Sequence, residues 1–282
     1  MPDRLKPAID VAALAPGIHL GDDGIWYANS RAEVSYPAHG NAACLQVEDR
    51  SFWFRHRNRC IAALVGRFPP DGPFLDIGGG NGFVAKGLVA AGFPCILVEP
   101  GEDGALAARG RGIDPVISAT LEDCAFRPAS MAAAGLFDVL EHIEDDAATL
   151  RQVHALLKPG GHVFATVPAY QWLFSADDAD AGHFRRYTLA RLTRMLTDAG
   201  FGVAFASYLF APLPPLVFVT RTVPSWLGAR RRPDAARNAA EHAPQGVLAR
   251  LMNRALDAEF RQLAAGGRIP SGGSCIVVGR RP

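Results

Sequence analysis

Between Pro73 and Val167 short apolar runs alternate with longer stretches whose apolar residues recur every three or four positions. The short runs, bounded by Gly or Pro, read as buried strands, and the three-to-four spacing reads as one face of a helix. Strands are therefore expected at 73–77, 95–98, 115–118, 135–140 and 162–167, with helices at 82–91, 102–109 and 146–157 and a turn at 158–161. Upstream, Val47 to Phe68 carries helical spacing through Phe52, Trp53, Ile61, Leu64 and Val65, and Pro69-Pro70 ends it. Downstream, Thr188 is placed to cap a helix over 189–199 that Gly200 stops, and Gly202 to Ser207 can form another strand. Such alternation predicts an α/β domain whose parallel sheet is covered on both faces.

The flanks break the rhythm. Residues 1–45, rich in Gly, Pro and short polar residues, read as an irregular arm. Leu209 to Val219 is strongly apolar, but Pro212, Pro214 and Pro215 exclude one regular helix. Residues 228–246 are Arg-, Ala- and Pro-rich and suggest a loop or lid. Helical spacing returns over 247–265, and Gly272-Gly273 leads into a last strand at 274–278. The chain divides as one domain into an arm and helix (1–69), a core (70–207), an insertion with a helix (208–273) and a final strand (274–282).

Composition narrows the function. A chain of 282 residues that is 49% hydrophobic and 20% charged is not intrinsically disordered. Its 29 Lys and Arg against 28 Asp and Glu leave a net charge of +1 and no basic stripe, so nucleic acid is not an expected partner. Cys44, Cys60, Cys95, Cys124 and Cys275 lack C-x-x-C spacing, which argues against a disulfide framework or zinc site and points to a reducing cytoplasm. Charges interrupt residues 1–14, so no signal peptide is expected there, and no run of about 18 apolar residues predicts a spanning helix.

The densest local signal is Phe74-Leu75-Asp76-Ile77-Gly78-Gly79-Gly80-Asn81-Gly82, an apolar strand that ends in an acid and enters a glycine turn before a helix. Glycines let the backbone approach a nucleotide-like ligand without Cβ collision. A dinucleotide fingerprint would carry its third glycine where Phe83 stands, so the pattern is G-x-G-x-G. Glu99 follows at the end of the next strand, where a carboxylate can accept hydrogen bonds from ribose hydroxyls.

These residues resemble the class I S-adenosylmethionine-dependent methyltransferases. Asp76 to Gly82 is similar to the family's first motif and Glu99 to its ribose acid. Phe137-Asp138-Val139-Leu140-Glu141-His142-Ile143 is similar to the motif after strand four, and Leu157 to Gly161 to the turn before strand five. A family-like tail runs from Trp172-Leu173 through Gly182-His183-Phe184-Arg185-Arg186-Tyr187-Thr188, and the stretch from Glu48 to Arg55 looks like an N-terminal helix of some bacterial members. The resemblance implies a Rossmann-like sheet of seven strands, mostly parallel with an antiparallel last strand. It also implies S-adenosyl-L-methionine as cofactor and S-adenosyl-L-homocysteine as product. Gly78, Gly79, Gly80, Asn81 and Gly82 would face the methionine end, with Asp76 on its amino group and Glu99 and Pro100 at the ribose. Thr120, Leu121 and Glu122 would border the adenine, and the backbone of Leu136 and Phe137 the methionine moiety.

The acceptor side is read from scattered polar residues. His142 is a candidate base facing the transferred methyl, or else a helix-start histidine bonded to its surroundings. His183, Arg185, Arg186 and Tyr187 form a polar cluster suited to an anionic acceptor, or else pair with Asp177, Asp178 and Asp180. Those acids with His183 lack a fixed ligand pattern, so no metal site is expected. Trp53, Arg55 and His56 could close over the cofactor, and Tyr170 joins the substrate side. The 209–219 stretch could form an apolar lip that admits an amphipathic acceptor or touches a membrane, with Arg221 and Arg230 to Arg232 near the headgroups, or else be core or a dimer contact. The expected function is methyl transfer to a small-molecule, saccharide or lipid-linked acceptor. A non-catalytic binding or scaffold protein and an NAD(P)-dependent oxidoreductase remain as alternatives.

Overall fold

The computed structural model describes residues 9–29, 36–37, 40–228 and 246–282. The interior of the expected lid, with Arg230 to Arg232, lies outside the described residues. Where the sequence predicts an irregular arm, α1 (Val11–Leu14) is followed by two short strands, β1 (Ile18–Leu20) and β2 (Trp26–Ala28), and by α2 (Gly40–Leu45). The next helix, α3 (Phe52–Arg67), begins later than its apolar pattern because Ser51 caps it, its hydroxyl accepting from the Trp53 and Phe54 amides. Alternation then runs through β3 (Phe74–Ile77), α4 (Phe83–Ala90), β4 (Cys95–Val98), α5 (Glu102–Gly110), β5 (Val116–Ser118), β6 (Met131–Phe137), α6 (Asp146–Leu156) and β7 (Leu157–Pro168). The rest comprises α7 (Ala176–Asp180), α8 (Leu189–Asp198), β8 (Gly202–Leu209), α9 (Leu213–Val217), α10 (Val223–Trp226), α11 (Gly246–Ala264) and β9 (Ser274–Arg280).

The strands form one sheet in the order β1-β2-β5-β4-β3-β6-β7-β9-β8. From β5 to β7 all neighbours are parallel, and β9 enters antiparallel between β7 and β8. The seven expected strands are those from β5 to β8. The sheet has nine because β2 adds beside β5 and β1 closes that edge antiparallel. Three-residue strands are too short to show an alternation, so the sequence hides them.

Strand side chains alternate between two cores. Leu75 and Ile77 pack with Ile96, Val98 and Leu136 against Leu150 of α6 and Leu192 of α8. Phe74 packs on the opposite face with Leu97 and Phe164 against Ile61 of α3, Leu88 of α4 and Leu256 of α11. Burial on both faces explains the continuous apolar runs.

Two boundaries differ from the pattern. β6 spans Met131–Phe137, not 135–140, because Asp138 takes a left-handed φ of 58° and turns the chain into a 3-10 turn at Leu140–His142. Its alanines are poor strand formers that burial and pairing on both edges hold extended. The Lys158 to Gly161 turn lies inside β7, looping out between the Met131–Leu157 and Ala133–His162 pairs. Past Leu209, the proline-rich stretch does break up, as α9, a π-helical turn over Phe218–Thr222, and α10.

Gly82 sets how closely α4 can pack. Its φ is +76°, and a Cβ there would come within 3.0 Å of the Ala108 Cβ on α5. The close packing assigned in a dinucleotide fingerprint to the sixth position is thus supplied at the fifth. Gly82→Ala should lower unfolding stability by about 1–3 kcal/mol, the combined range for backbone strain and overpacking. An unchanged denaturation midpoint would contradict this role.

Candidate active site

β4 and β6 flank β3 on opposite sides, so the chain diverges to two faces at the carboxyl end of β3 and leaves a crevice there. Asp76 and the glycine turn form its floor. Asp76 is 1% exposed, and its Oδ2 has no hydrogen-bond partner. Burial pushes its carboxyl up to about 7, Arg57 pulls it down and Glu99 adds to the rise. A Cβ on Gly79 would lie 2.7 Å from Leu97 and 3.0 Å from the Asp76 Oδ2, so only glycine leaves this floor open.

Glu99 stands opposite, at the end of β4. One carboxylate oxygen accepts from the Gly80 amide at 2.8 Å, and the other from the Gly101 amide at 2.8 Å and Asn41 Nδ2 at 3.2 Å. Burial pushes its carboxyl up, and these donors oppose the rise. Asn41 lies on α2, and its carbonyl also accepts from Asn81 Nδ2 at 2.8 Å. The arm is thus pinned over the glycine turn, and Arg111 pins it again through Glu48 at 2.6 Å and Asp49 at 3.0 Å. Thr120 spends its hydroxyl on Asp123, 2.7 Å away, so it borders the cleft without a free hydroxyl for adenine.

The unpartnered Asp76 oxygen and the glycine cradle fit the amino-acid end of S-adenosylmethionine, and Glu99 beside Pro100 fits its ribose. Below pH 7 the Asp76 carboxyl is largely protonated, and an arriving ammonium favours the carboxylate. Binding of S-adenosylhomocysteine should therefore release about one proton at pH 6 and almost none at pH 8.5. Titration calorimetry in buffers of different ionisation enthalpy measures this, and Asp76→Asn should abolish it. Proton release that persists in the variant would place the titrating group elsewhere. The same shift makes this group's contribution to folding fall as pH rises from about 4 to 7, because there the folded state holds a proton that the unfolded state has lost.

Arg57, which the sequence reading missed, is the cation of the site. Its guanidinium pairs with Asp138 and lies 4.5 Å from the Trp53 ring centroid, and Trp53 in turn stacks on Phe210 at 5.5 Å. Helical geometry would have found it. Trp53 and Arg57 differ by about 40° around α3, whereas Arg55 lies about 160° away. Arg55 is exposed and outside the cleft, and His56 is buried against Glu259 at 2.7 Å. Trp53 does line the cleft.

At the end of β6, Glu141, His142 and His183 converge. Burial, then His183, push the His142 imidazole down to about 4, so it is neutral at ordinary pH. Tyr36 meets His142 edge to face at 5.1 Å and was also unforeseen. Burial, then Asp138, hold the Glu141 carboxyl well above its usual range.

The rest of the expected substrate cluster is structural. Arg185 bonds Asp146 at 2.8 Å and the Glu144 carbonyl at 2.9 Å. Arg186 grips Asp178 with two bonds of 2.8 and 3.0 Å. The Tyr187 hydroxyl donates to Asp146 at 2.7 Å inside the core. Burial pushes the Asp178 carboxyl up, but the His183 hydrogen bond and the Arg186 charge outweigh it and hold it at about 2. Of this cluster His183 and Arg186 border the cleft, while Arg185, Tyr187 and Tyr170 do not, and Tyr170 stacks on Tyr208 at 5.2 Å. On the cofactor side Leu136 and Gly82 likewise stand behind the lining.

The cleft encloses about 1840 Å3, from the glycine turn to a mouth formed by α9, the π turn and α11. Leu216 and Leu251 are exposed there, and outside the lining Val219 is exposed and Trp172, Phe218 and Trp226 pack edge to face at 5.6 Å.

A methyltransferase-domain family model matches residues 48–204, more than half of the chain. A ubiquinone biosynthesis O-methyltransferase of Marinobacter nauticus is 31% identical over 103 residues, 33% of this chain and 42% of that protein. The chain thus matches about two fifths of the length of such curated relatives. Among solved structures, phosphoethanolamine N-methyltransferase 2 of Haemonchus contortus, bound to S-adenosylmethionine, superposes with a TM-score of 0.55 at 17% identity over 88% of this chain and 58% of that one. A possible histamine N-methyltransferase of Thermotoga maritima superposes at 0.52 with 16% identity over 86% and 94%. These two show the shared fold.

Proposed function

The chain belongs to the methyltransferase-domain family, the class I S-adenosylmethionine-dependent methyltransferases, and on that premise we propose that it methylates the hydroxyl of an amphipathic small molecule. The observation that carries this reading is the continuity of one cleft. The Asp76 and Glu99 floor, the His142 and His183 pair and the apolar mouth all line the same cavity. The cofactor supplies a sulfonium methyl whose charge is lost on transfer, so the protein's task is alignment in a site that excludes water. Asp76 holds the amino-acid end of the cofactor and Glu99 its ribose, and Trp53 on Arg57 walls the methionine side. His142 and His183 orient the acceptor hydroxyl, and Leu216, Leu251 and Met252 receive its apolar part. Because Arg185 and Arg186 are spent on Asp146 and Asp178, an amphipathic acceptor fits better than an anionic one. The partial likeness to O-methyltransferases supports oxygen as the methylated atom. No described helix is long and apolar enough to cross a membrane. The lip at 209–219, with Arg221 beside it, would rest on a lipid surface.

The test is transfer of labelled methyl to hydroxyl-bearing amphiphiles of graded chain length, with NADPH as a cofactor control. Michaelis constants should fall as the chain lengthens. Leu216→Asp with Leu251→Asp should raise them at least tenfold for long chains, on the order of the transfer cost of the lost apolar contacts, while cofactor affinity holds. Methylation confined to short polar hydroxyls would sink the amphipathic reading. Tight cofactor binding with no product across the series would favour a scaffold.

A further inference from the structure

Three ligand-type side chains meet at the inner end of the cleft. Donor atoms of Glu141, His142 and His183 lie within 4.8 Å of one another, and the two imidazole rings meet edge to face with centroids 4.7 Å apart. All three residues line the cavity.

The cluster is braced from behind. The His183 Nδ1 is bonded to Asp178 at 3.0 Å, which leaves Nε2 as the ligand atom. Asp178 is itself fixed by Arg186 and by the Ser175 amide at 2.9 Å, so the chain carboxylate, imidazole, open site is the one that commonly orients a metal-bound histidine. The Phe184 amide donates to the Glu141 carbonyl at 2.8 Å, tying the segment that carries His183 to the turn that carries Glu141 and His142. Glu141 is 1% exposed, yet its Oε2 has no hydrogen-bond partner. A buried carboxylate oxygen is costly to leave unpaired. Arg57 is paired with Asp138, whose other oxygen accepts from the Thr166 hydroxyl at 3.1 Å. That removes Asp138 from the ligand set.

We propose that Glu141, His142 and His183 bind a divalent first-row transition ion. Two imidazole nitrogens and one carboxylate select such an ion over Mg2+ or Ca2+, which prefer oxygen donors throughout. Three protein ligands leave positions open toward the cleft, where an acceptor hydroxyl can coordinate. Coordination lowers the hydroxyl's pKa. Its proton is lost to solvent on coordination, before the cleft is filled; its oxygen then bonds the methyl carbon, and the carbon–sulfur bond breaks with its electron pair left on sulfur. This catalytic use rests on the methyl-transfer reading, whereas the ion site does not.

The test is titration of the tag-free, chelator-stripped full chain with Co2+, followed by visible absorption. One equivalent should bind with d–d bands typical of mixed nitrogen and oxygen ligation. Zn2+ should displace it stoichiometrically, and a hundredfold excess of Mg2+ should not. Glu141→Gln and His183→Ala should each weaken Co2+ binding at least tenfold, and Asp178→Asn, which removes no ligand, should weaken it less. A cooperative thermal transition for each variant shows that it is folded. Absence of stoichiometric bands, parent-like affinity in both Glu141→Gln and His183→Ala, or displacement by Mg2+ would overturn the proposal. S-adenosylhomocysteine binding without Co2+ binding overturns the ion site alone. Co2+ binding without methylated product supports the site and counts against the acceptor reading.

Discussion

Glu99→Ala is expected to weaken S-adenosylhomocysteine binding by about 1.5–3 kcal/mol, the range for hydrogen bonds to a charged group, or roughly ten- to a hundredfold in Kd. The carboxylate already accepts from Gly80, Gly101 and Asn41, which uses three of its roughly four acceptor positions. Ribose hydroxyls must therefore take over acceptor positions that the protein occupies, and Asn41 on the arm is the side-chain donor that can yield. Removing the carboxylate loses the ribose contact and also unpins the arm from the glycine turn. Glu99→Gln keeps the shape and one acceptor oxygen, so its loss should be intermediate. Calorimetric titration of both variants measures this, and an alanine variant that binds like the parent would remove Glu99 from the ribose site.

Arg57→Met should cost about 3–5 kcal/mol of stability, the range for breaking a buried ion pair by removing one partner. The guanidinium is 8% exposed and Asp138 18%, so solvent replaces the lost partner only in part. Asp76 and Glu141 lie in the same field, and Arg57 lowers both of their pKa values, though burial outweighs it. At about 2–4 °C per kcal/mol for a chain of this size, the thermal midpoint should fall by roughly 10 °C. Adding Asp138→Asn should recover much of the loss, because the stranded charge is gone. Single and double variants with equal midpoints would show that the pair is not what stabilises this corner.

The parallel core was legible because its strands are buried on both faces and its helices keep one apolar stripe. Asp76, the glycine turn and Glu99 were legible for a related reason, since a backbone that must approach a ligand leaves glycines in the sequence. The acceptor side was harder to read. Arg185 and Tyr187 look like part of a binding cluster in one dimension, but their partner Asp146 is brought to them by the fold, whereas Arg186 takes Asp178, one of the acids the sequence already offered as partners. Arg57 is legible from position around the helix, about 40° from Trp53, and not from proximity along the chain, where Arg55 is nearer. Asn41 lies 58 residues before Glu99, in an arm without periodicity, and nothing local marks the contact.

The place of β9 bears on how this protein is made. Every residue of β9 is paired with both β7 and β8. A ribosome has delivered both flanking strands long before it reaches Ser274. Until that stretch emerges, β7 and β8 cannot be joined, and each carries an unpaired edge of the kind that invites aggregation. The sheet is therefore sealed from the middle by a segment translated well after both of its neighbours, so the nascent chain passes through a vulnerable interval in which chaperones have the most to do.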